Sequence, residues 1–260
     1  MTPETHCLEV RLARDPRDLR AAQRLRYRVF VEELGGDGPM VDHAARLEAD
    51  EFDAVCDHLI LVDTSRAGGD HYVVGAYRLL TSEKAEALGR YYCDSEYDLT
   101  PLRRSGRKLL ELGRSCVAPD HRGGAGMLLL WNALADYVLA RGIEILFGVA
   151  SFHGTDVEAL RMPLAWLHHH HLAPPELRPK ALPDHFQPMD LVPLAALDRR
   201  AALQGMPNLI KAYLRLGGFV GDGAYVDHVF NTTDVLLLMD TTAMSDKYRD
   251  FYARRFEAKS

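Results

Sequence analysis

The stretch best equipped for chemistry runs from Glu111 to Gly126. Glu111-Leu112-Gly113-Arg114-Ser115-Cys116-Val117 reads as a β-strand carrying one acid and one base. Ala118-Pro119-Asp120-His121 then turns the chain, and Arg122-Gly123-Gly124-Ala125-Gly126 leads into an apolar helix from Met127. A strand, a glycine loop and a helix N-terminus form an anion site, because free backbone N–H groups and the helix dipole both face the loop. The anion suggested is the phosphate of a pantetheine arm, which makes acyl transfer the leading expectation. Arg122 would add a permanent positive charge, and the glycines let the backbone approach closely. The same residues also fit a glycine-rich helix start with a solvated arginine.

Glu111 and Arg114 are three apart on a strand, so they face opposite sides unless a bulge intervenes. One of them would enter the core or a cleft; the alternative is a pair of ordinary sheet-edge charges. A charge buried in an apolar segment needs a partner. Arg78, inside the apolar run 74–80, therefore needs one, and Glu111 is a candidate. Arg26 lies on the first long helix within Arg26-Tyr27-Arg28-Val29-Phe30, and Asp50-Glu51-Phe52-Asp53 follows in a loop. Asp50 and Asp53 could both reach a cationic amine, although spacing alone favours a helix N-cap and a solvated acidic turn. Cys116, in a β-rich apolar run, reads as a small buried side chain rather than a nucleophile. Four consecutive histidines, His168 to His171, fan around a helix and cannot all ligate one ion, so they read as solvated or partly packed and no metal site is assigned.

These residues need a frame. With 260 residues, 47% of them hydrophobic, one domain over 1–260 with an insertion is expected rather than two. A net charge of −6 argues against nucleic-acid binding. Cys7, Cys56, Cys93 and Cys116 are scattered without a C-x-x-C pair, which suits reduced thiols. No apolar run reaches membrane-spanning length and the start lacks a signal-peptide pattern, so a cytoplasmic location is expected. Strands are expected at 8–12, 58–62, 72–80, 108–117, 143–150, 224–230 and 235–239. Helices are expected at 15–33, 127–141, 208–216 and about 246–256. The proline-rich region at about 155–205 reads as an insertion of mixed helix and loop. Several strands adjacent in sequence favour a mixed α/β fold whose largely antiparallel sheet is flanked by helices.

Arg26-Tyr27-x-Val29-Phe30, Asp50-x-x-Asp53, Arg78-Leu79-Leu80 and Glu111-Leu112-x-Arg114 stand in the order seen in acyl-homoserine-lactone synthases. Those enzymes belong to the N-acetyltransferase-like (GNAT) superfamily and take acyl groups from acyl carrier protein. The segments 111–125, 151–156, 207–217 and 227–235 resemble more closely the bacterial ornithine N-acyltransferases of ornithine-lipid synthesis. The resemblance covers most of the chain. Two departures stand out. Leu34-Gly35-Gly36 occupies the region where lactone synthases carry a tryptophan, which counts against lactone formation. Placing Gly124 and Gly126 on the superfamily's spaced glycines puts His121, not Arg122, in the basic slot.

The resemblance implies a GNAT-like fold that moves a (3-hydroxy)acyl group from acyl carrier protein to the α-amine of ornithine, forming lyso-ornithine lipid. The donor is the acyl-phosphopantetheine of the carrier, with no permanently bound cofactor. Glu111 is the expected base, since an α-ammonium must lose a proton before it attacks a thioester. Backbone N–H groups near Cys116 and Val117, at a bulge, would hold the oxyanion. Arg26, Arg78 and Arg114 would grip the amino-acid carboxylate, or order the site by pairing with Asp50, Asp53 and Glu111. Tyr213 would protonate the leaving thiolate, or is simply packed. Arg122, Gly123, Gly124, Ala125 and Gly126 would cradle the phosphate. The basic cluster Arg103, Arg104, Arg107 and Lys108 would dock the acidic carrier, or is a solvated loop. The stretch from Tyr248 to Phe256 has an apolar stripe beside basic residues. It suits core packing, or a peripheral contact with the inner membrane. The alternatives in function are another N-acyl amino acid synthase, a lactone synthase, or a non-catalytic acyl-carrier or lipid-binding module.

Overall fold

The structure is a computed structural model that describes residues 8–66, 69–122 and 125–242. The first elements are β1 (Leu8–Leu12), α1 (Pro16–Arg26), a π-helical segment (Tyr27–Glu33), β2 (Val41–Asp42), β3 (Leu47–Glu48), β4 (Asp57–Asp63) and β5 (Val73–Thr81). There follow α2 (Ser82–Leu88), β6 (Tyr97–Asp98), α3 (Thr100–Arg104), β7 (Leu109–Val117), α4 (Ala125–Arg141) and β8 (Ile145–His153). Next come α5 (Arg161–His171), β9 (Lys180–Ala181), β10 (Phe186–Gln187), α6 (Arg199–Gly205) and α7 (Asn208–Arg215). The last strands are β11 (Phe219–Val220), β12 (Ala224–Asp227) and β13 (Thr232–Asp240). The chain packs as two compact units, Met1–Lys84 with Leu112–Arg141, and Ala85–Glu111 with Gly142–Ser260. β7 passes from one to the other between Glu111 and Leu112.

In the first unit the strands run in the order β1-β4-β5-β7, with β1, β4 and β5 antiparallel. Every residue of β5 is buried, so both faces of that strand are covered. α1 packs against β5 and α4 against β4. Two glycines permit the second contact. A Cβ on Gly126 would stand 2.9 Å from Leu61 Cδ2, and one on Gly75 would stand 2.9 Å from Leu130 Cδ1. α1 starts where Asp15 accepts the N–H groups of Arg17 and Asp18, with Pro16 in the first turn. The helix expected over 15–33 divides. After Arg26 it widens into the π-helical segment, where the Leu34 N–H reaches Val29 O five residues back at 3.2 Å. Such widenings are uncommon and frequently accompany function.

In the second unit β7 begins parallel to β8, opposing Leu109 to Ile145 and Glu111 to Phe147. β8 runs antiparallel to β13 over all nine residues, from Ile145↔Asp240 to His153↔Thr232. β12 lies on β13, β10 on β12, and β11 pairs with β13. The mixed α/β architecture with mostly antiparallel strands and flanking helices is the one expected from strand order. The region 155–205 is the expected mixture, carrying α5, α6 and two-residue strands between short 3₁₀ turns. The helix expected at 246–256 lies outside the described residues.

Candidate active site

Three arginines and three carboxylates converge in the first unit. Arg26, at the end of α1, is 1% exposed. Its Nε donates to Glu48, and Nη1 and Nη2 donate to the two oxygens of Asp53 at 2.7 Å each. Arg78 on β5 donates to Asp50 at 2.5 Å and to Asp53 at 3.2 Å, with its guanidinium over the Phe52 ring. Arg114 on β7 donates from Nε to the other oxygen of Glu48 at 2.9 Å and from Nη2 to Asp50 at 3.4 Å. The cluster is formally neutral, as buried charge requires.

The local chain explains how these groups meet. Asp50 caps the 3₁₀ turn Glu51–Ala54, accepting the Phe52 N–H at 3.0 Å, and that turn swings Asp53 inward. The expected N-cap is therefore present, but the acidic turn is not solvated: Asp53 is buried. Burial alone would raise the Asp53 carboxyl. The hydrogen bonds and charge of Arg26, with Gln23 and Arg78, instead take it well below the ordinary carboxylate range. The buried partner expected for Arg78 is supplied by Asp50 and Asp53. Of the two roles foreseen for the arginines, ordering by ion pairing is the one the contacts show. Glu48 went unnoticed in the sequence. It sits on β3, which pairs with β2, each strand only two residues long and too short to leave a periodic pattern; the only signal was an acid two residues ahead of Asp50.

Arg114 has φ +51°, a left-handed backbone that a non-glycine residue adopts at a cost of about 1–3 kcal/mol. The backbone irregularity of β7 thus falls at Arg114, upstream of Cys116 and Val117, where the bulge was expected. Cys116 is buried, and burial pushes its thiol up to about 12, which removes the thiolate a nucleophile would need. The Val117 carbonyl accepts the Arg122 Nε at 2.9 Å, and the Ala118 N–H donates to Val74 O at 2.8 Å. The Arg122 guanidinium also lies on Glu33, at 2.7 Å from Nη2, and that contact holds the Glu33 carboxyl below its usual value. In this structure, then, Arg122 braces the π-helical segment. Ala125 and Gly126 open α4; Gly126 serves close packing on Leu61, a role the phosphate reading had not included. Gly123 and Gly124 lie outside the described residues. His121, the other occupant of the basic slot, is set between Asp120 at 2.9 Å and Asp63 at 3.5 Å.

In the second unit Glu111 is buried, and both its oxygens are held by consecutive backbone donors. Tyr92 N–H reaches Oε2 at 2.8 Å and Cys93 N–H reaches Oε1 at 2.7 Å. These are the first amides of the 3₁₀ turn Tyr92–Ser95, so the carboxylate caps that turn. Burial, followed by the nearby Glu111 charge, pushes the Cys93 thiol well above its ordinary value. The Cys93 thiol hydrogen-bonds the same carboxylate. Tyr213 is buried on α7, and its carbonyl closes the helix by accepting Gly218 N–H at 3.0 Å.

The expected docking cluster is partly neutralised. Arg103 grips Asp94 with both nitrogens, and Arg107 grips Asp240 with two bonds of 2.6 Å. Arg104 and Lys108 are exposed. The histidines of α5 are dispersed, as a helix demands: His169 contacts Val192 O at 2.9 Å, while the His170 ring lies 4.2 Å from that of Trp166. Among the described residues, no helix is long and apolar enough to cross a membrane. The stretch Tyr248 to Phe256 lies outside the described residues.

Residues 25–132 match a family model described as an acetyltransferase (GNAT) domain. The L-ornithine N(alpha)-acyltransferase of Rhodobacter capsulatus is 72% identical over 252 residues, covering 96% of this chain and 96% of that protein. The protein of the same name from Agrobacterium fabrum is 44% identical over 253 residues, covering 96% of this chain and 86% of its own length. Among solved structures, FeeM, an N-acyl amino acid synthase from uncultured soil microbes, superposes with a TM-score of 0.52. It is 13% identical over 91% of each chain, a likeness of fold alone.

Proposed function

The chain belongs to the family of L-ornithine N(alpha)-acyltransferases, and from that membership we propose that it transfers a (3-hydroxy)acyl group from the phosphopantetheine thioester of acyl carrier protein to the α-amine of ornithine, releasing lyso-ornithine lipid. The observation that carries this reading is Glu111, a buried carboxylate immobilised at both oxygens by consecutive backbone N–H groups. Glu111 takes a proton from the α-ammonium, directly or through one water. The freed nitrogen pair attacks the thioester carbon, and the carbonyl π pair moves onto oxygen. Backbone N–H groups at Cys116 and Val117 stabilise that oxyanion. On collapse the carbon–sulfur bond breaks and Tyr213 gives a proton to the departing thiolate; the nitrogen passes its second proton through water to the tyrosinate, and Glu111 releases the first to solvent, leaving amide, free thiol and the starting enzyme. The ordered cluster of Arg26, Arg78, Arg114, Glu48, Asp50 and Asp53 is a rigid support and not the acceptor's carboxylate clamp. Gly123, Gly124 and the start of α4 are the proposed phosphate cradle. Tyr248 to Phe256 is proposed for the peripheral membrane contact that an amphiphilic product favours.

Incubation with acyl carrier protein loaded with 3-hydroxyacyl chains and a panel of amino acids, followed by mass spectrometry, tests the reading. An N-acyl ornithine is the expected product. A lactone would point to a signal synthase, an amide of another amine to a different N-acyl amino acid synthase, and no product with any amine to a binding module. Glu111→Gln is expected to lower kcat at least 100-fold while sparing donor affinity, consistent with general-base contributions of about 10²–10⁴. A wild-type rate would remove Glu111 from the chemistry.

A further inference from the structure

Arg28 is the exception among the arginines at the centre of the first unit. It lies in the π-helical segment Tyr27–Glu33, and its Nε and Nη2 are buried with no hydrogen-bond partner among the described residues. Those two atoms form one edge of the guanidinium. They present two parallel N–H donors, the geometry that receives both oxygens of a carboxylate. A buried donor without an acceptor is destabilising, so a fold gains nothing by keeping such an edge unless something occupies it. Its neighbours show where it is. The charge of Arg28 acts on Cys116 of β7 and on His71, just ahead of β5.

The acceptor's α-carboxylate still lacks a partner. Arg26, Arg78 and Arg114 are committed to Glu48, Asp50 and Asp53, and Arg122 to Glu33. In an α-amino acid the carboxylate is one carbon from the attacking amine, so its cation must stand near the thioester. The donor phosphate lies a whole pantetheine arm away from that carbon. A buried, unpartnered guanidinium edge in the same compact unit as Cys116 and Val117 is suited to the first anion.

We propose that Arg28 binds the α-carboxylate of the amino-acid acceptor through its Nε–Nη2 edge, and so sets the enzyme's preference for an amino acid over a simple diamine. The assignment rests on the acyl transfer to ornithine proposed above.

The test compares ornithine with 1,4-diaminobutane, which is ornithine without its carboxylate, in wild type, Arg28→Gln and Arg28→Lys. A doubly hydrogen-bonded charged contact is worth about 1.5–3 kcal/mol, so Arg28→Gln is expected to raise KM for ornithine by roughly 10–100-fold. It should reduce the ornithine-to-diaminobutane preference by the same factor and leave KM for the acyl carrier within about twofold. Arg28→Lys, which keeps the charge and loses the fork, should fall between. Arg28→Met, which keeps the stem, should hold or raise Tm, whereas loss of an internally paired arginine would lower it. An unchanged ornithine KM, or a rise in KM for the acyl carrier instead, overturns the assignment. If wild type makes no ornithine amide, the activity reading has failed. Calorimetric binding of ornithine to wild type and Arg28→Gln then decides separately, and equal affinities overturn the role of Arg28.

Discussion

Replacing Arg26 with Met probes the buried cluster at its centre. The substitution keeps the volume of the stem and removes four donated hydrogen bonds: to Glu48 Oε2, to the Glu48 carbonyl and to both oxygens of Asp53. Two carboxylates from the most buried part of the unit would then share only the remaining cations, Arg78 and Arg114, and the cluster would carry a net negative charge. Breaking one partner out of a buried ion pair costs about 3–5 kcal/mol, chiefly because the other charge stays desolvated. At about 2–4 °C per kcal/mol for proteins of this size, Tm should drop by roughly 10 °C or more. Arg114→Met is the internal comparison. That side chain is 13% exposed and its bonds are 2.9 and 3.4 Å, so its loss should cost only about 1–3 kcal/mol.

The same pair of variants makes a statement about pH. In the native state Asp53 is held below its ordinary value of 3.8. A depressed carboxyl contributes stability that is complete above the unfolded value and is lost as pH falls through the folded one. Arg26→Met removes the main source of that depression, so it has less to lose on acidification. Urea unfolding at pH 7 and pH 3 should show a gap between wild type and Arg26→Met that is full at pH 7 and narrower at pH 3. A Tm within about 2 °C of wild type, or a gap that widens in acid, would refute the claim that the cluster is held by compensated charge.

Cys116→Ala should retain substantial activity, since burial pushes the thiol up to about 12 and direct transfer needs no thiolate; an inactive but folded variant in a steady-state assay would restore the covalent route. Gly126→Ala places a methyl 2.9 Å from Leu61 Cδ2 and should destabilise by about 1–3 kcal/mol in urea melts, an effect that a purely phosphate-binding glycine would not produce. Arg104→Glu should raise KM for the acyl carrier without altering Tm, because Arg104 is exposed, whereas Arg103→Glu would also release Asp94 from its double grip; no change in carrier KM with Arg104→Glu counts against docking there.

What the sequence disclosed, and what it withheld, follow from range. Arg78 announced its need for a partner because it interrupts an apolar strand, a signal contained in seven residues. The partners themselves, Asp50 and Asp53, are 28 and 25 residues away, and only the tertiary fold brings them in. The strand carrying Glu111 and the helix that follows the glycines were legible from β and helical periodicity. The cap that Glu111 places on the Tyr92–Ser95 turn was not, since no local pattern links position 111 to position 92. Gly126 shows a different limit. A glycine ahead of a helix suits both phosphate binding and close packing, and only Leu61 across the interface reveals the second use.

Glu111 itself combines two demands that pull in opposite directions. Burial disfavours the Glu111 anion, whereas the two backbone N–H bonds favour it. The same bonds fix both oxygens, which a carboxylate on a long, two-torsion side chain would not manage alone. For removing a proton from an α-ammonium, an immobile base gains in orientation, a gain that reaches about 7–11 kcal/mol in well-aligned intramolecular reactions. Each unit of lowered basicity costs at most 1.36 kcal/mol. For the base proposed above, placement outweighs basicity, and the turn Tyr92–Ser95 is what fixes where the two Glu111 oxygens lie.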